Sequence, residues 1–279
     1  MGGIIWLASY PKSGNTWMRS FLHNLLRNTQ KPADINELDQ FCLGESSAGW
    51  YGRHLGKPVL EATEEEIAKV RPLVHRDFTQ TFPDSVFSKT HNCLGEWHGV
   101  PLHNMDVTVG AIYVVRNPLD IVLSMTHHYG LTLEKAIERL GAGGASTEIT
   151  KEHVPEVQSS WSTHVKSWTG EPNPQLLTVR YEDLLLKPRK HFKQVASFLG
   201  LKPPKERLER AIRNSSFKAL KAQEQKTGFK ERSEHAQSFF REGKAEQWRT
   251  DLTPDQIRQI IDRHREQMAR FDYIPKDYM

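Results

Sequence analysis

The chain has 279 residues with a formal net charge of +4, and 26% of its residues are charged. This mild charge does not indicate a nucleic-acid-binding protein, which usually has a concentrated basic face, although it suits a bound anionic small molecule. Two cysteines are too few for a disulfide scaffold or a paired-cysteine zinc site. No window reaches the roughly 18 apolar residues of a membrane span, so we expect no membrane partner and a cytoplasmic location.

Strands and helices are predicted to alternate along the chain. Apolar, β-branched runs are typical of buried strands, and apolar residues at a helical period are typical of helices. Residues 30–60 are predicted to be irregular, and the glycine-rich residues 141–152 to form a mobile loop or lid. Strands are predicted at 3–9, 86–88, 107–115 and 176–180, and helices at 15–27, from 63, and at 118–129, 155–168, 181–199 and 254–270.

This order of elements predicts an α/β fold with a central parallel sheet flanked by helices. The helix starts are marked by local signals, namely the capping-box pattern TEEE at 63–66 and the pair Thr253-Pro254. No stretch is long or biased enough to be a linker between independent parts. Residues 1–279 are therefore predicted to form one domain.

The first candidate site is the segment YPKSGNTW at 10–17, where a predicted strand ends in a tight turn and a helix begins. The N–H groups at a helix start bind anions, Gly14 permits close approach of the backbone, and Lys12 adds a positive charge. In a Walker A loop the lysine follows the last glycine, whereas Lys12 precedes Gly14 by two residues. The alternative is an ordinary turn in which Ser13 caps the helix.

The second candidate site, YVVRNPLDIVLS at 113–124, repeats this plan of strand, loop and helix. Arg116 ends the strand, where ligands of open α/β sheets bind, and an arginine suits a phosphate. The alternative is a surface salt bridge between Arg116 and Asp120.

The third candidate site, SKTH at 88–91, follows a predicted strand. Lys89 and His91 are two residues apart, so an extended backbone projects both to one face. A cation beside a base that titrates near neutrality suits transfer of an anionic group onto a hydroxyl. The alternative is that His91 is an ordinary surface histidine.

These three segments resemble sulfotransferases that use 3′-phosphoadenosine 5′-phosphosulfate (PAPS), whose strings read YPKSGTTW, YVxRNPxDxxxS and KTHLP. The resemblance implies the P-loop-kinase-like sulfotransferase fold. It also implies that the first loop holds the 5′-phosphosulfate and the adenine, and that the second binds the 3′-phosphate. The residues concerned are Lys12, Ser13, Gly14, Asn15, Thr16 and Trp17 in the first loop, and Arg116 and Ser124 in the second.

Three later segments also resemble this family, at 180–200, 215–221 and 239–248. The resemblance implies that Tyr181, Ser215 and Phe217 lie beside the adenine. It further implies that the segment FFREGKAEQW binds the 3′-phosphate through Arg241, Glu242 and Gly243. Glu242 replaces the usual lysine, and because its carboxylate would repel phosphate we expect only its backbone to contribute.

The activity implied by the resemblance is in-line transfer of a sulfuryl group from PAPS to a hydroxyl, less often an amine, of a small-molecule acceptor. His91 would be the general base, Lys89 would neutralise the sulfuryl oxygens, and Lys12 would stabilise the bridging oxygen. The product 3′-phosphoadenosine 5′-phosphate (PAP) would remain, and no metal is expected. The alternatives are a P-loop kinase, which would need its lysine after the glycine, and a non-catalytic nucleotide-binding protein, which would have no need of the Lys89–His91 pair.

Two departures from the family pattern concern the acceptor side and the oligomer. Asn92-Cys93 stands in place of Leu-Pro after the histidine, so the acceptor pocket is expected to be built differently. The family dimer segment KxxxTVxxxE would fall near 249–258, which reads RTDLTPDQIR. We therefore expect a monomer, or a homodimer formed through another surface. Aromatic and histidine side chains that could line the acceptor pocket, or else belong to core or surface, are Trp50, Phe78, His127 and Tyr129.

Overall fold

The structure is a computed structural model that describes residues 2–279. Within this range it has seven strands: β1 (Ile4–Ser9), β2 (Cys42–Gly44), β3 (Val86–Thr90), β4 (Glu96–Trp97), β5 (Val100–Pro101), β6 (Thr108–Val115) and β7 (Leu176–Arg180).

The same range contains thirteen α-helices. They are α1 (Asn15–Arg27), α2 (Leu38–Phe41), α3 (Ala48–Leu55), α4 (Glu64–Phe78), α5 (Pro118–Tyr129), α6 (Leu133–Gly141), α7 (Trp161–Thr169), α8 (Tyr181–Leu186), α9 (Pro188–Phe198), α10 (Lys205–Asn214), α11 (Phe217–Thr227), α12 (Trp248–Asp251) and α13 (Pro254–Arg270). None of the helices described has both the length and the apolar character needed to cross a bilayer.

Five strands form one sheet in the order β2-β3-β1-β6-β7, and β4 pairs with β5 in a separate antiparallel ladder. Strand β3 runs parallel to both β1 and β2. The apolar sequences IIWLAS and TVGAIYVV form β1 and β6, and both strands are mostly buried, as is usual for strands of parallel sheets. The fold class predicted from the sequence, a central parallel sheet flanked by helices, is confirmed.

Packing divides the chain into two compact units. Unit 1 contains the residues up to Tyr10 together with 42–113 and 142–178. Unit 2 contains residues 11–41, 114–141 and 179–279. Each unit collects three separate stretches, so no single cut of the chain would separate them.

Helix α4 shows how local sequence shapes unit 1. The Thr63 hydroxyl accepts a hydrogen bond from the N–H of Glu66 at 3.2 Å, and the Glu66 carboxylate accepts one from the N–H of Thr63 at 2.8 Å. This is the predicted capping box, and it satisfies two N–H groups that a helix start leaves unpaired. The helix then buries Ile67, Val74 and Phe78 in the core of the unit.

Unit 2 is mainly helical, and its helices begin where the sequence predicts. Helix α1 covers the predicted residues, and its Phe21 ring stacks on Phe192 of α9 with centroids 4.0 Å apart. Helix α13 starts at Pro254 with a capping box between Thr253 and Gln256. Pro at the first helical position loses no hydrogen bond there, which is why this boundary was readable from sequence.

Two predictions of local structure were wrong. Residues 30–60 are not irregular, because they contain α2, β2 and α3. The helix predicted at 155–168 begins only at Trp161. The residues before Trp161 are not helical and form backbone hydrogen bonds with other segments of unit 1. The carbonyl of Ala145 accepts a hydrogen bond from the N–H of Gln158 at 2.8 Å, and the carbonyl of Ser46 accepts one from the N–H of Val154 at 2.8 Å. These contacts join residues distant in sequence, so periodicity could not reveal them.

A buried carboxylate, Glu45, organises the interior of unit 1. The side chains of both Glu45 and Arg71 are almost fully enclosed, and the Arg71 guanidinium donates to Glu45 Oε1 at 2.5 Å. Tyr51 donates to the same oxygen at 2.6 Å, and His75 Nε2 lies 3.3 Å from it. Burial by itself would raise the pKa of Glu45, but Arg71 and the hydrogen bonds lower the pKa to about 2.

The charge on Glu45 makes the stability of the protein depend on pH. Because the pKa is lowered from 4.5 to about 2, the ionised carboxylate contributes stability above pH 4.5 that is lost as pH falls towards 2. We expect Glu45→Gln to lower the free energy of unfolding at pH 7 by about 3–5 kcal/mol, because Arg71 stays buried without its partner. Urea unfolding at several pH values measures this, and the difference between wild type and variant should shrink below pH 4.5. A difference that stays constant down to pH 2 would contradict the assignment.

Candidate active site

The loop between β1 and α1 forms the first part of the candidate site, in unit 2. Lys12 and Gly14 both have left-handed backbone conformations, with φ of 66° and 106°. A Cβ atom at Gly14 would lie 2.7 Å from the ring of Tyr181, so only glycine fits this close approach. Gly14 is the N-cap of α1, and no side chain caps the helix there. The amino end of α1 therefore presents the N–H groups that bind anions.

Several residues predicted to contact the nucleotide have a polar atom that is buried without a hydrogen-bond partner among residues 2–279. These atoms are Ser13 Oγ, Trp17 Nε1 and Arg116 Nε. Ser13 is 1% exposed, so bulk solvent does not reach its hydroxyl. A buried polar group without a partner costs free energy, and a bound ligand with acceptor oxygens would remove that cost. These residues therefore fit the anionic group that the sequence predicts.

Arg116 joins the two predicted phosphate loops. Its Nη1 donates to the carbonyl of Lys12 at 2.9 Å, and its guanidinium lies 4.5 Å from the centroid of the Tyr181 ring. Asp120, the alternative partner considered from sequence, accepts hydrogen bonds from the N–H groups of Glu246 at 2.7 Å and Trp248 at 3.2 Å. Asp120 thus anchors the later segment that carries Arg241.

Aromatic rings form a cluster beside the first loop. The Trp17 ring meets Tyr181 and Phe192 edge-on, with centroids 5.6 and 5.4 Å apart. Phe217 lies against the backbone of Gly243, where a Cβ atom would be 2.2 Å from the ring. Trp17 and Phe217 pack on a buried apolar cluster of unit 2. These rings provide flat apolar surfaces of the kind that suit an adenine.

Segment 239–248 is fixed by contacts to its backbone. Glu224 accepts from the N–H groups of Phe239 at 2.6 Å and Phe240 at 2.9 Å, and Lys221 donates to the carbonyl of Arg241 at 2.8 Å. The Arg241 guanidinium donates to Gln247 at 2.6 Å. The unexpected carboxylate, Glu242, lies 3.4 Å from the ammonium of Lys244.

The remaining predicted nucleotide residues of unit 2 have more ordinary settings. Ser215 is fully buried, and its hydroxyl donates to the carbonyl of Ala211 at 2.8 Å, within its own helix region. Ser124 is half-buried on α5. Asn15 and Thr16 are buried in the first turn of α1. The Lys12 ammonium lies 4.3 Å from the centroid of the Phe239 ring, so it contacts the segment described above.

The imidazole of His91 is oriented by hydrogen bonds within unit 1. Its Nδ1 lies 2.7 Å from the carbonyl oxygen of Ser9, which can only accept. Nδ1 therefore carries the hydrogen, and Nε2 carries the lone pair. The His91 carbonyl in turn accepts from Nε2 of His164 at 3.1 Å, and Tyr113 donates to Nδ1 of His164 at 2.9 Å. Burial lowers the pKa of His164 to about 3, which keeps the His164 imidazole neutral.

Lys89 lies in β3, where burial alternates along the strand. Ser88 and Thr90 are buried, whereas Lys89 and His91 are half-buried. The alternation agrees with the expectation that Lys89 and His91 project to one face. Lys89 is paired in register with Leu7 of β1 and Gly44 of β2.

The four residues suggested for the acceptor pocket lie in different settings. Phe78 is 0% exposed in the core of unit 1, and the half-buried Trp50 ring meets it edge-on at 5.0 Å. In unit 2, His127 is exposed and Tyr129 is half-buried near the end of α5. Among the residues described, no group of three or more potential ligands is arranged to hold a metal ion.

The supporting role of several acidic side chains was missed by sequence reasoning, which considered Asp120 only as a surface partner of Arg116 and the others not at all. Besides the buried Glu45, Asp120 and Glu224, the group includes the half-buried Glu182, which accepts from the N–H of Asn117 at 3.0 Å and from the Tyr273 hydroxyl at 2.8 Å. Burial raises the pKa of Glu182. The signal for Glu182 was its place beside Tyr181 in a recognisable segment, whereas Glu45 lies in a stretch predicted to be irregular.

Comparison with known proteins identifies relatives over most of the chain. The family model described as "Sulfotransferase domain" matches residues 4–272. Rat sulfotransferase 1A1 is 26% identical over 233 residues, which cover 77% of this chain and 66% of the relative. Cytosolic sulfotransferase 1 of Arabidopsis thaliana is 25% identical over 271 residues, covering 91% of this chain and 75% of the relative. The chain thus aligns with slightly less than two thirds of the rat protein.

Solved structures share the fold at low sequence identity. A mouse sulfotransferase, SULT7A1, crystallised with PAP, has a TM-score of 0.62 and 22% identity, covering 97% of this chain and 85% of that one. Retinol dehydratase in a complex with retinol and PAP has a TM-score of 0.64 and 20% identity, covering 95% and 81%.

Proposed function

This chain belongs to the sulfotransferase domain family, and we propose that it transfers the sulfuryl group of PAPS to a hydroxyl, less often an amine, of a small-molecule acceptor. When bound, PAPS supplies the sulfuryl group, and PAP is the product that remains. The curated relatives include proteins named cytosolic sulfotransferases, so we propose the cytoplasm as the site of the reaction.

The observation that carries this proposal is a group of unpaired hydrogen-bonding atoms in unit 2, of the kind that bind phosphate. An uncapped helix start, a glycine at φ 106°, and the buried, unpartnered Ser13 Oγ and Arg116 Nε lie together around the first loop. Arg116 is tied to that loop through the Lys12 carbonyl. A folded protein rarely leaves such groups unpaired without a ligand to receive them.

The proposed donor-binding roles are those that the family resemblance implies, and the chemistry of the side chains suits them. The 5′ end is assigned to the loop from Lys12 to Thr16, and the adenine to Trp17, Tyr181, Phe217 and Ser215. The 3′-phosphate is assigned to Arg116, Ser124, Arg241 and Gly243, with Glu242 contributing only its backbone. Arginine presents a planar set of donors that matches phosphate oxygens, and the Gly243 backbone can approach closely because no side chain intervenes.

The proposed base is Nε2 of His91. It accepts the proton of the acceptor hydroxyl, which makes the acceptor oxygen more nucleophilic. The bond from Nδ1–H to the Ser9 carbonyl holds the tautomer in which Nε2 is basic. This bond also strengthens as the ring becomes positively charged, because a charged donor makes a stronger hydrogen bond. Lys89 and Lys12 supply positive charge where negative charge develops on oxygen.

The proposed acceptor contacts are aromatic and histidine side chains. Trp50 is a half-buried ring of unit 1 and is proposed to contact the acceptor, with Phe78 supporting it from the core. His127 and Tyr129 are proposed acceptor contacts of unit 2. A screen of phenols, aliphatic alcohols and amines with radiolabelled PAPS would identify the acceptor class.

Any homodimer is proposed to use a surface other than 249–258. This segment lacks the family dimer pattern, and it spans α12 and the capped start of α13. Its Thr253 is committed to capping α13.

Thermal unfolding with nucleotides tests the donor assignment before any acceptor is known. At about 100 times its Kd, PAP should stabilise the folded protein by about 2.7 kcal/mol, which corresponds to a Tm increase of roughly 5 °C. ATP with Mg²⁺ should produce a much smaller shift, because the loop lacks the lysine position of a Walker A motif. Stabilisation by ATP with Mg²⁺ alone would favour the kinase alternative and overturn the proposal.

A further inference from the structure

Asn92, the residue that follows His91, is a polar side chain in a fully buried position. It is 0% exposed, and it stands where the resembling family has leucine in the string KTHLP. Burying an amide in place of an apolar side chain is costly unless all of its polar groups find partners. An asparagine here therefore calls for a compensating set of contacts.

Every polar group of Asn92 has such a partner in unit 1. The side-chain Nδ2 donates to Glu45 Oε2 at 2.6 Å, and Oδ1 accepts from the N–H of Val157 at 2.6 Å. The backbone N–H donates to the Thr90 hydroxyl at 3.1 Å, and the carbonyl accepts from the Trp168 indole at 3.0 Å. Asn92 thus has contacts to four parts of the unit at once.

Glu45 cannot move to follow Asn92, because its other oxygen is held independently. Tyr51, Arg71 and His75 all approach Oε1, whereas Oε2 receives Asn92. Well-satisfied buried networks of this kind are rigid and specify a single arrangement. The Glu45 carboxylate therefore fixes the position of the backbone at Asn92.

His91 directly precedes Asn92 in the chain and has two hydrogen bonds of its own. Its imidazole is bound to the Ser9 carbonyl, and its own carbonyl is bound to His164. A shift of the backbone at Asn92 would rotate His91 away from Ser9, which lies 2.7 Å from Nδ1. Errors of about 1 Å in the placement of a catalytic group can cost about 10²-fold in rate.

We propose that Asn92 and Glu45 are positioning residues that hold the His91 imidazole in the orientation required of the base. The proposal rests on the proposed function, in which His91 is that base. The polar pair replaces the apolar contact that a leucine would make after the histidine. It also links the base to residue 157, since the N–H of Cys93 donates to the Val157 carbonyl at 2.8 Å.

The variant Asn92→Leu tests the proposal, because leucine has a similar size but cannot form the side-chain hydrogen bonds to Glu45 and Val157. We expect kcat to fall about 10- to 100-fold, while the KM for PAPS and the Kd for PAP change by less than about twofold. The ¹⁵N NMR spectrum of the His91 ring should show Nδ1–H in the wild type and a mixture of tautomers in the variant.

The matched control is Asn24→Leu in α1. Asn24 is also buried, its Nδ2 donates to the Ser20 carbonyl at 2.9 Å, and its Oδ1 accepts from the N–H of Ala33 at 2.9 Å. This variant also loses one hydrogen bond that a buried amide donates and one that it accepts, but Asn24 is in unit 2 and His91 is in unit 1. It should lower Tm and leave both kcat of the folded protein and the His91 ring spectrum unchanged.

A second variant covers the case in which Asn92→Leu does not fold. Asn92→Asp keeps the shape and can still donate to Glu45 if the two carboxyl groups share one proton. The charged and titratable groups around this pair are Arg71, His75, Tyr51, His103 and, more distantly, Glu156. Activity should then fall at high pH as the shared proton is lost, whereas wild-type activity should not.

The outcomes separate the proposal from the proposed function. Unchanged kcat and an unchanged His91 ring spectrum in Asn92→Leu, with only Tm lowered, would show a purely structural role and overturn the proposal. The same holds for a wild-type pH profile in Asn92→Asp. A wild-type protein that transfers no sulfuryl group to any acceptor would instead overturn the proposed function, and the ring spectrum would still decide whether Asn92 orients His91.

Discussion

Replacing His91 with alanine is expected to lower kcat for sulfuryl transfer by about 10²- to 10⁴-fold, because the proton of the acceptor hydroxyl then has no base to receive it. The affinity for PAP should stay within about twofold of wild type, since the residues assigned to the nucleotide are all in unit 2 and His91 is in unit 1. Single-turnover assays with radiolabelled PAPS, combined with calorimetric titration of PAP, measure the two quantities separately.

The control for this experiment is another histidine of unit 1. His54 is exposed on α3, and its Nε2 lies 2.8 Å from Asp77. His54→Ala removes an imidazole from the same unit without touching the Ser9 contact. Full activity of His91→Ala would remove His91 from the mechanism, while equal losses in both variants would point to an effect on folding.

Replacing Lys12 with alanine is expected to lower kcat by about 10²- to 10³-fold, the usual effect of removing one charged or hydrogen-bonding group that stabilises a transition state. The affinity for PAP should fall less, because PAP lacks the sulfuryl group and the charge that develops during transfer. The contact between the Lys12 carbonyl and Arg116 is made by the backbone and persists in alanine. Comparison of kcat with the Kd for PAP tests this split.

Two further variants make the Lys12 result interpretable. Lys12→Met keeps an apolar stem of similar length beside Phe239 and loses only the charge, so it should resemble Lys12→Ala in kcat. Lys31→Ala removes one exposed positive charge elsewhere in unit 2 and should leave kcat unchanged. If Lys12→Ala lost PAP affinity and kcat in equal proportion, Lys12 would act in binding the nucleotide and not in the transfer step.

Elements with strong local signals were predicted with accurate boundaries. Helix α1 at 15–27, the capped start of α4 after Thr63 and the start of α13 at Pro254 all lie where the sequence places them. Their signals are contained within a few residues, since an N-cap bonds to the backbone three positions later. Strands β1, β6 and β7 were equally readable, as apolar runs bounded by turn residues.

Elements that depend on distant partners were not predicted. Strand β2 has three residues and exists because it pairs with β3, more than forty positions along the chain. A run this short has no measurable period, and its neighbours in sequence resemble a loop. Phe78 illustrates the same limit, because an aromatic residue near a predicted site can equally be core, and its burial becomes visible only in the folded chain.

The sequence by itself determined the order of strands and helices. Its motifs also resemble those of PAPS-dependent sulfotransferases, and this resemblance led to the proposed PAPS donor, the two phosphate loops and the Lys89–His91 pair. Only the tertiary structure decided which nitrogen of His91 carries the lone pair, and that Asn92 is bound to Glu45. The partners in these two contacts are 82 and 47 residues apart. Local propensity acts over a few residues, whereas the orientation of a side chain is set by whichever groups the folded core brings next to it.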